Sequence, residues 1–366
     1  MAPTLPINHT EKVLLKTFQE VLGAAKADVG VETNLIQWGA TPLDIIKLKG
    51  HLQYELGFRN EIPLIAILSN PTARSLSRAL ADEALLSKTY TPVVMLQSKG
   101  KKAPLWLFHP DNGEILVFLS LAKIFTDRPV YALRARGFNP GEAFFSSINE
   151  VIIEYYKAIK TQQSHGPYAL AGCEFGSLLA FEVAKVLRAN GDEVRFLGTF
   201  NSPPYNTNPS RHVDWSLCLL DIAVSLGLLS EQHRASVSQY FPALAKGEAV
   251  QHIQHASDPT LMAELCLTGD SLADWADIAF SLHKMTVGYQ VTGNVESIDV
   301  FCGESRNSTA TDRKEWFQAH LSSWAGFGRD VTFYEVEEDT PEGLFGMEFG
   351  ATFQKTLCKV LLSRGV

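Results

Sequence analysis

Gly166-Pro-Tyr-Ala-Leu-Ala-Gly-Cys-Glu-Phe-Gly-Ser177 is the stretch from which the architecture of this 366-residue chain can be read. A strand-like run, Tyr168–Ala171, enters a Gly-x-x-x-Gly turn, and an amphipathic helix leaves it through Ala180, Val183, Val186 and Leu187. Such a turn strains the backbone of its central residue so that the side chain stands clear. The residues two before and two after must then be small. Gly172 and Gly176 meet that need, which makes Glu174 the central residue. A turn centred on Cys173 would need small residues at 171 and 175, and Phe175 is not small. The Cys173 thiol is therefore expected to point into the sheet.

Outward from this window, strand-like runs recur at Leu105–Phe108, Val130–Leu133, Val194–Phe200, Ile298–Phe301 and Val331–Val336. Helical stretches lie between and after them at Glu114–Phe125, Ile148–Thr161, Ser177–Ala189 and Phe349–Leu362. This alternation predicts a mostly parallel sheet with helices on both faces. The spacing breaks at about residues 203–290, a largely helical insertion expected to cap the carboxyl edge of the sheet. Residues 1–85 read as a separate all-α bundle, with apolar stripes in Thr10–Leu22 and Pro42–Leu56 and shorter pieces at Pro63–Leu68 and Ala73–Leu80. Residues 86–103 read as a linker running into a first strand at Val93–Leu96, and residues 104–366 as the α/β unit. Strand, sharp turn and helix around Glu174 together specify an α/β hydrolase.

The bulk numbers exclude several classes. A net charge of −8 without a basic tract argues against nucleic acid and anionic membrane surfaces as partners. The five cysteines have no CxxC spacing, so neither a zinc site nor a disulfide framework is expected, and a reduced, cytoplasmic setting is. No apolar run is long enough for a membrane span, and the first residues lack the pattern of a signal peptide.

Tyr168-Ala-Leu-Ala-Gly172 and Phe175-Gly-Ser-Leu-Leu-Ala-Phe-Glu-Val-Ala-Lys-Val-Leu187 resemble the type I thioesterase domain of nonribosomal peptide synthetases. Pro104-Leu-Trp-Leu-Phe-His-Pro110, Arg128-Pro-Val-Tyr-Ala-Leu-Arg-Ala-Arg-Gly-Phe138, Phe200-Asn-Ser-Pro-Pro204 and Phe280-Ser-Leu-His-Lys-Met285 narrow it to a group similar to fungal atromentin and terrequinone synthetases. Val31 to Leu48 follows the phosphopantetheine-site pattern of their carrier domain. The resemblance implies a carrier–thioesterase tail that follows an adenylation domain. Its substrates would be aryl α-keto acids, held as thioesters on a 4′-phosphopantetheine arm, then joined and released.

Against that pattern, the residues at several motif centres differ. The serine that takes the arm falls on Pro42, which has no hydroxyl and suits a first helical turn instead. Thr41 is adjacent but displaced around the helix start. The nucleophile position is Glu174, where the resemblance implies serine. The triad acid position is Asn201, and the triad histidine position falls near Thr340, with no histidine after His320. The oxyanion loop carries Asp111 and Asn112, and a carboxylate there opposes a developing oxyanion. The backbone N–H of Phe175 is the expected oxyanion donor.

Three readings of the site stay open at this point. One is a synthetase tail whose usual chemistry is lost, and a second is a non-catalytic binding or scaffold domain. The third is a hydrolase or condensation enzyme using Glu174 as base or nucleophile. His109, near the expected cleft, is the histidine to test as a base. His283 reads as a core residue, and His252 with His255 shares a helical face without a visible third metal ligand.

Overall fold

The computed structural model describes residues 5–23, 29–58, 62–81, 90–139, 141–204, 214–303, 313–336 and 350–366. The bundle holds α1 (His9–Val21), α2 (Leu35–Trp38), α3 (Pro42–Glu55), α4 (Leu64–Ser69) and α5 (Ala73–Ala81). Polar caps start the first three: the side chains of Asn8, Asn34 and Thr41 each accept a first-turn N–H. Leu14, Phe18, Ile45, Leu52, Ile67 and Leu76 meet at the centre of the bundle, fully shielded from water.

Next come β1 (Val93–Gln97), β2 (Leu105–Phe108), α6 (Leu119–Ala122), β3 (Val130–Leu133), α7 (Ile148–Gln162), β4 (Tyr168–Cys173), α8 (Phe175–Ala189) and β5 (Val194–Phe200). The cap follows as α9 (Trp215–Ser225), α10 (Glu231–Val237), α11 (Lys246–Ala256), α12 (Pro259–Glu264) and α13 (Gly269–Thr286). The chain then closes with β6 (Val295–Cys302), α14 (Arg313–Ala319), β7 (Gly328–Glu335) and α15 (Ala351–Ser363). Seven strands form one sheet in the order β1-β3-β2-β4-β5-β6-β7, and every neighbouring pair is parallel except β1 with β3. This is the expected α/β hydrolase sheet, with β4 central and buried at each of its six positions. No helix among the described residues is long and apolar enough to cross a membrane.

Two local expectations differ. Glu114–Phe125, expected as one helix, is a 3₁₀ turn at Leu116–Phe118 followed by the single-turn α6, and the run Ile115 to Leu119 is buried throughout. The short helices α2 and α14 were not expected, since four and seven residues are too few to display a period.

The bundle is seated on the cap and on the β1 edge of the sheet. Lys47 Nζ of α3 pairs with Glu264 Oε2 of α12 at 2.7 Å. Gly50 meets Cys266 so closely that a Cβ built on the glycine would lie 2.2 Å from the Cys266 Cβ. The absence of a side chain at 50 is thus what lets α3 approach the cap.

Candidate functional site

The turn after β4 places Glu174 at φ 51° and ψ −125°, a conformation that costs a residue with a Cβ about 1–3 kcal/mol. Neighbouring atoms over-determine it. A Cβ at Gly172 would fall 2.3 Å from the Gly176 carbonyl, and one at Gly176 would fall 2.2 Å from the Phe108 carbonyl. The helix start therefore lies directly against β2 and β4, and the Glu174 side chain is exposed at the apex. Cys173 is buried in the apolar cluster beneath, as its position in the turn predicts.

The loop after β2 completes the site. The backbone N–H of Asp111 donates to Glu174 Oε2 at 3.0 Å. In return the N–H of Phe175 donates to Asp111 Oδ1 at 2.8 Å. The other carboxylate oxygen of Asp111 lies 3.2 Å from His283 Nε2 on α13. Two carboxylates are tolerated side by side because both sit at the N-terminal end of the fifteen-residue α8, where the helix dipole favours negative charge, and because an imidazole faces one of them. The Phe175 N–H, expected to serve an oxyanion, is thus bonded to a carboxylate of the protein itself. Asn112 turns away, its Oδ1 accepting the Glu114 N–H at 3.0 Å.

Behind the apex, the Glu174 N–H donates to Ser202 Oγ at 2.5 Å, and that hydroxyl donates to the Phe200 carbonyl at 2.8 Å. Asn201 ends β5 in a left-handed conformation, φ 49°. Its Oδ1 accepts from Trp316 Nε1 at 3.0 Å and from the Gly303 N–H at 3.1 Å, which ties the amide to α14 and the end of β6. Thr340 lies outside the described residues.

His109, marked for testing as a base, is fully buried beside Tyr155 and Phe175. Its Nδ1 contacts the Pro110 carbonyl at 2.8 Å, and its Nε2 has no hydrogen-bond partner. Burial pushes its pKa down to about 4. It serves the packing behind the oxyanion loop and does not face the cleft. His283, read from sequence as a satisfied core residue, is buried and paired as expected, and its partner Asp111 also makes it the histidine brought to the elbow. The one signal was its place within Phe280–Met285, a stretch already singled out by resemblance. Ser202 was missed as well, although it stands inside the quoted Phe200–Pro204 stretch.

In the bundle, Pro42 occupies the first turn of α3, and Thr41 is its N-cap. The Thr41 hydroxyl donates to Asp44 Oδ2 at 2.7 Å and accepts the Asp44 N–H at 3.2 Å, a closed capping box. Elsewhere in the cap, His252 Nε2 lies 3.1 Å from His233 Nε2, and His255, on the same helix, is near enough to act on it electrostatically. Among the described residues no group of three or more His, Cys, Asp or Glu is arranged to hold a metal ion.

The thioesterase domain family matches residues 103–313, and the phosphopantetheine attachment site family matches residues 12–80. The nonribosomal peptide synthetase acyN of Ascocoryne sarcoides is 41% identical over 366 residues, which cover 99% of this chain and 39% of that protein. Aspulvinone E synthetase melA of Aspergillus terreus is 42% identical over 363 residues, again 99% of this chain and 39% of that protein. The chain thus spans well under half the length of these curated relatives. Among solved structures, the four-domain nonribosomal peptide synthetase holo-AB3403, bound to AMP and glycine, superposes with a TM-score of 0.63 at 18% identity, over 100% of this chain and 27% of that one. The Vlm2 thioesterase domain bound with a dodecadepsipeptide gives 0.51 at 17% identity, over 74% and 96%. At these identities the structures establish the fold alone.

Proposed function

Because the chain belongs to the thioesterase domain family, preceded by a phosphopantetheine-attachment domain, we propose that it is a carrier–thioesterase tail whose release centre is silent. The tail is of the kind found in fungal nonribosomal peptide synthetase-like enzymes. In this reading an adenylation domain lies upstream, and the substrate class is an aryl α-keto acid thioester. The thioesterase fold then acts as a seat for the bundle and a binding platform, and does not cleave thioesters by the serine route.

One observation carries the reading: the Asp111 carboxylate sits on the Phe175 N–H at 2.8 Å. A tetrahedral oxyanion would need that donor and would meet a negative charge instead. The Glu174 carboxylate is likewise held by the Asp111 amide at 3.0 Å, so the two acids stabilise each other's placement. Attack by Glu174 on a thioester would form an anhydride, a high-energy product, in place of an ordinary ester. The residues of the bundle do not fit a phosphopantetheine arm either. Pro42 offers no oxygen for the phosphodiester, and the Thr41 hydroxyl is committed to its capping box.

The test is intact-protein mass after two separate treatments. Incubation with a phosphopantetheinyl transferase and coenzyme A is expected to add nothing, whereas Pro42→Ser is expected to gain the arm. A fluorophosphonate probe is expected to leave the chain unlabelled. Loading of the unaltered chain, or phosphonylation within residues 168–189, would overturn the proposal.

A further inference from the structure

A concavity of about 790 Å³ lies where the bundle meets the α/β unit, and none of the elbow residues lines it. That volume suits a drug-sized molecule. Its walls come from three places: Ile46 on α3, Phe138 and Phe144 in the segment after β3, and Trp275 and Ile278 on α13. Glu114 lines it too, on the loop that leaves the oxyanion turn, and is only 7% exposed.

Buried acids normally have a cation beside them. Among the described residues none forms an ion pair with Glu114, and its donors are backbone amides of its own turn, with Ile115 at 3.1 Å. The charged groups around the cavity explain why. Arg134 is taken by Glu142 in a two-point pair at 2.9 and 2.6 Å. Lys49 attracts Glu114 through space from α3. On α13, Asp274 and Asp277 add negative charge, and Asp277 is itself bonded to Trp215 Nε1 at 2.6 Å and Lys246 Nζ at 2.7 Å. Glu114, Glu142, Asp274 and Asp277 thus line the cavity beside Lys49 and Arg134, with Glu142 paired to Arg134 and Asp277 to Lys246. Burial pushes the Glu114 carboxyl up to about 7, with Arg134 and Lys49 only partly opposing it.

We propose that this cavity is a binding site for an organic ammonium ion with an aromatic body, its charge paired with Glu114 and its ring covered by Phe138, Phe144 and Trp275. An acid and aromatic side chains lining one cavity supply both the ion pair and the ring faces that such a cation prefers. The walls belong to both units, so a ligand seated there bridges α3 to the cap and stabilises their docked arrangement by mass action.

Isothermal titration of the full chain with tryptamine, a cation at both pH 6 and pH 8, tests this, with indole-3-propionate as the charge-reversed control. Tryptamine is expected to bind about tenfold tighter at pH 8 than at pH 6, as Glu114 ionises between those values. Indole-3-propionate is expected to bind at least about tenfold more weakly than tryptamine at pH 8. Glu114→Gln, nearly the same shape, is expected to remove both the tryptamine affinity and its pH dependence. Should that variant fail to fold, the pH series and the control ligand on the unaltered chain decide. No tryptamine binding, equal binding of the two probes, a flat pH response, or a Gln variant that binds unchanged would overturn the proposal.

Discussion

The carboxylate of Asp111 accepts the backbone N–H of Phe175 at 2.8 Å, so the donor at the start of α8 already holds an anion of the protein. A helix N-terminus is a general anion site, and here the loop after β2, the strand next to β4 in the sheet, supplies the anion. The arrangement is stable for the same reason that it is unsuited to an oxyanion.

Backbone strain at the apex should be measurable independently of the carboxylate. Glu174→Ala and Glu174→Gly both lose the bond from the Asp111 amide, but only glycine is at ease at φ 51°. The glycine variant is expected to be more stable than the alanine variant by about 1 kcal/mol in urea unfolding. Equal stabilities would show that the turn is not strained.

The elbow glycines tolerate no side chain. A Cβ on Gly176 would lie 2.2 Å from the Phe108 carbonyl, which belongs to a central strand and cannot retreat. Gly176→Ala is expected to cost more than about 3 kcal/mol, read as a drop in thermal midpoint or loss of soluble protein. A variant of unchanged stability would mean that α8 does not start where it is placed.

The seat between bundle and cap rests on Gly50 and Cys266. Gly50→Ala is expected to unseat the bundle, seen as a larger radius of gyration by small-angle scattering and faster proteolysis between residues 82 and 92. Cys266→Gly should restore the seat, because it removes the atoms that a Cβ at 50 would strike and because position 266 has φ 49°. A compact Gly50→Ala single variant would contradict this contact.

Two buried groups set opposite pH responses. His109 has its folded pKa depressed to about 4, so below 6.5 the unfolded chain takes up a proton that the folded chain refuses. Its stability contribution is therefore lost as pH falls from about 6.5 to about 4, by at most about 3 kcal/mol, and His109→Leu should flatten that slope. Glu114 has its folded pKa raised to about 7, so the folded chain holds a proton that the unfolded chain releases above about 4.5. Its cost appears as pH rises from about 4.5 through 7, and Glu114→Gln should be the more stable protein at pH 8, by at most about 3 kcal/mol. Denaturant midpoints across pH 4–8 give both slopes, and unchanged slopes in the variants would refute the assignments.

The scaffold was legible because its signals are local. Gly172 and Gly176 fix the turn by sterics alone, and the strand runs on either side of them alternate with helices in a way that admits few sheets. The chemistry was legible only in part. That Glu174 stands at the apex follows from spacing. That Asp111 faces Phe175 depends on two loops meeting across the sheet, which no periodicity reports. His283 was hidden for a related reason: it lies 172 residues from Asp111 in sequence, and on its own helix it sits between apolar neighbours that read as core. His109 misled in reverse, since nearness to the cleft in sequence did not tell which way the ring turns.

The Asp111 and Glu174 carboxylates occupy the donors of the elbow. Hydrolysis of an arylpyruvyl N-acetylcysteamine thioester by the full chain, followed by thiol release, tests it most directly. The rate is expected to equal that of buffer alone and to be unaffected by Glu174→Gln. A rate clearly above background that Glu174→Gln abolishes would contradict the account.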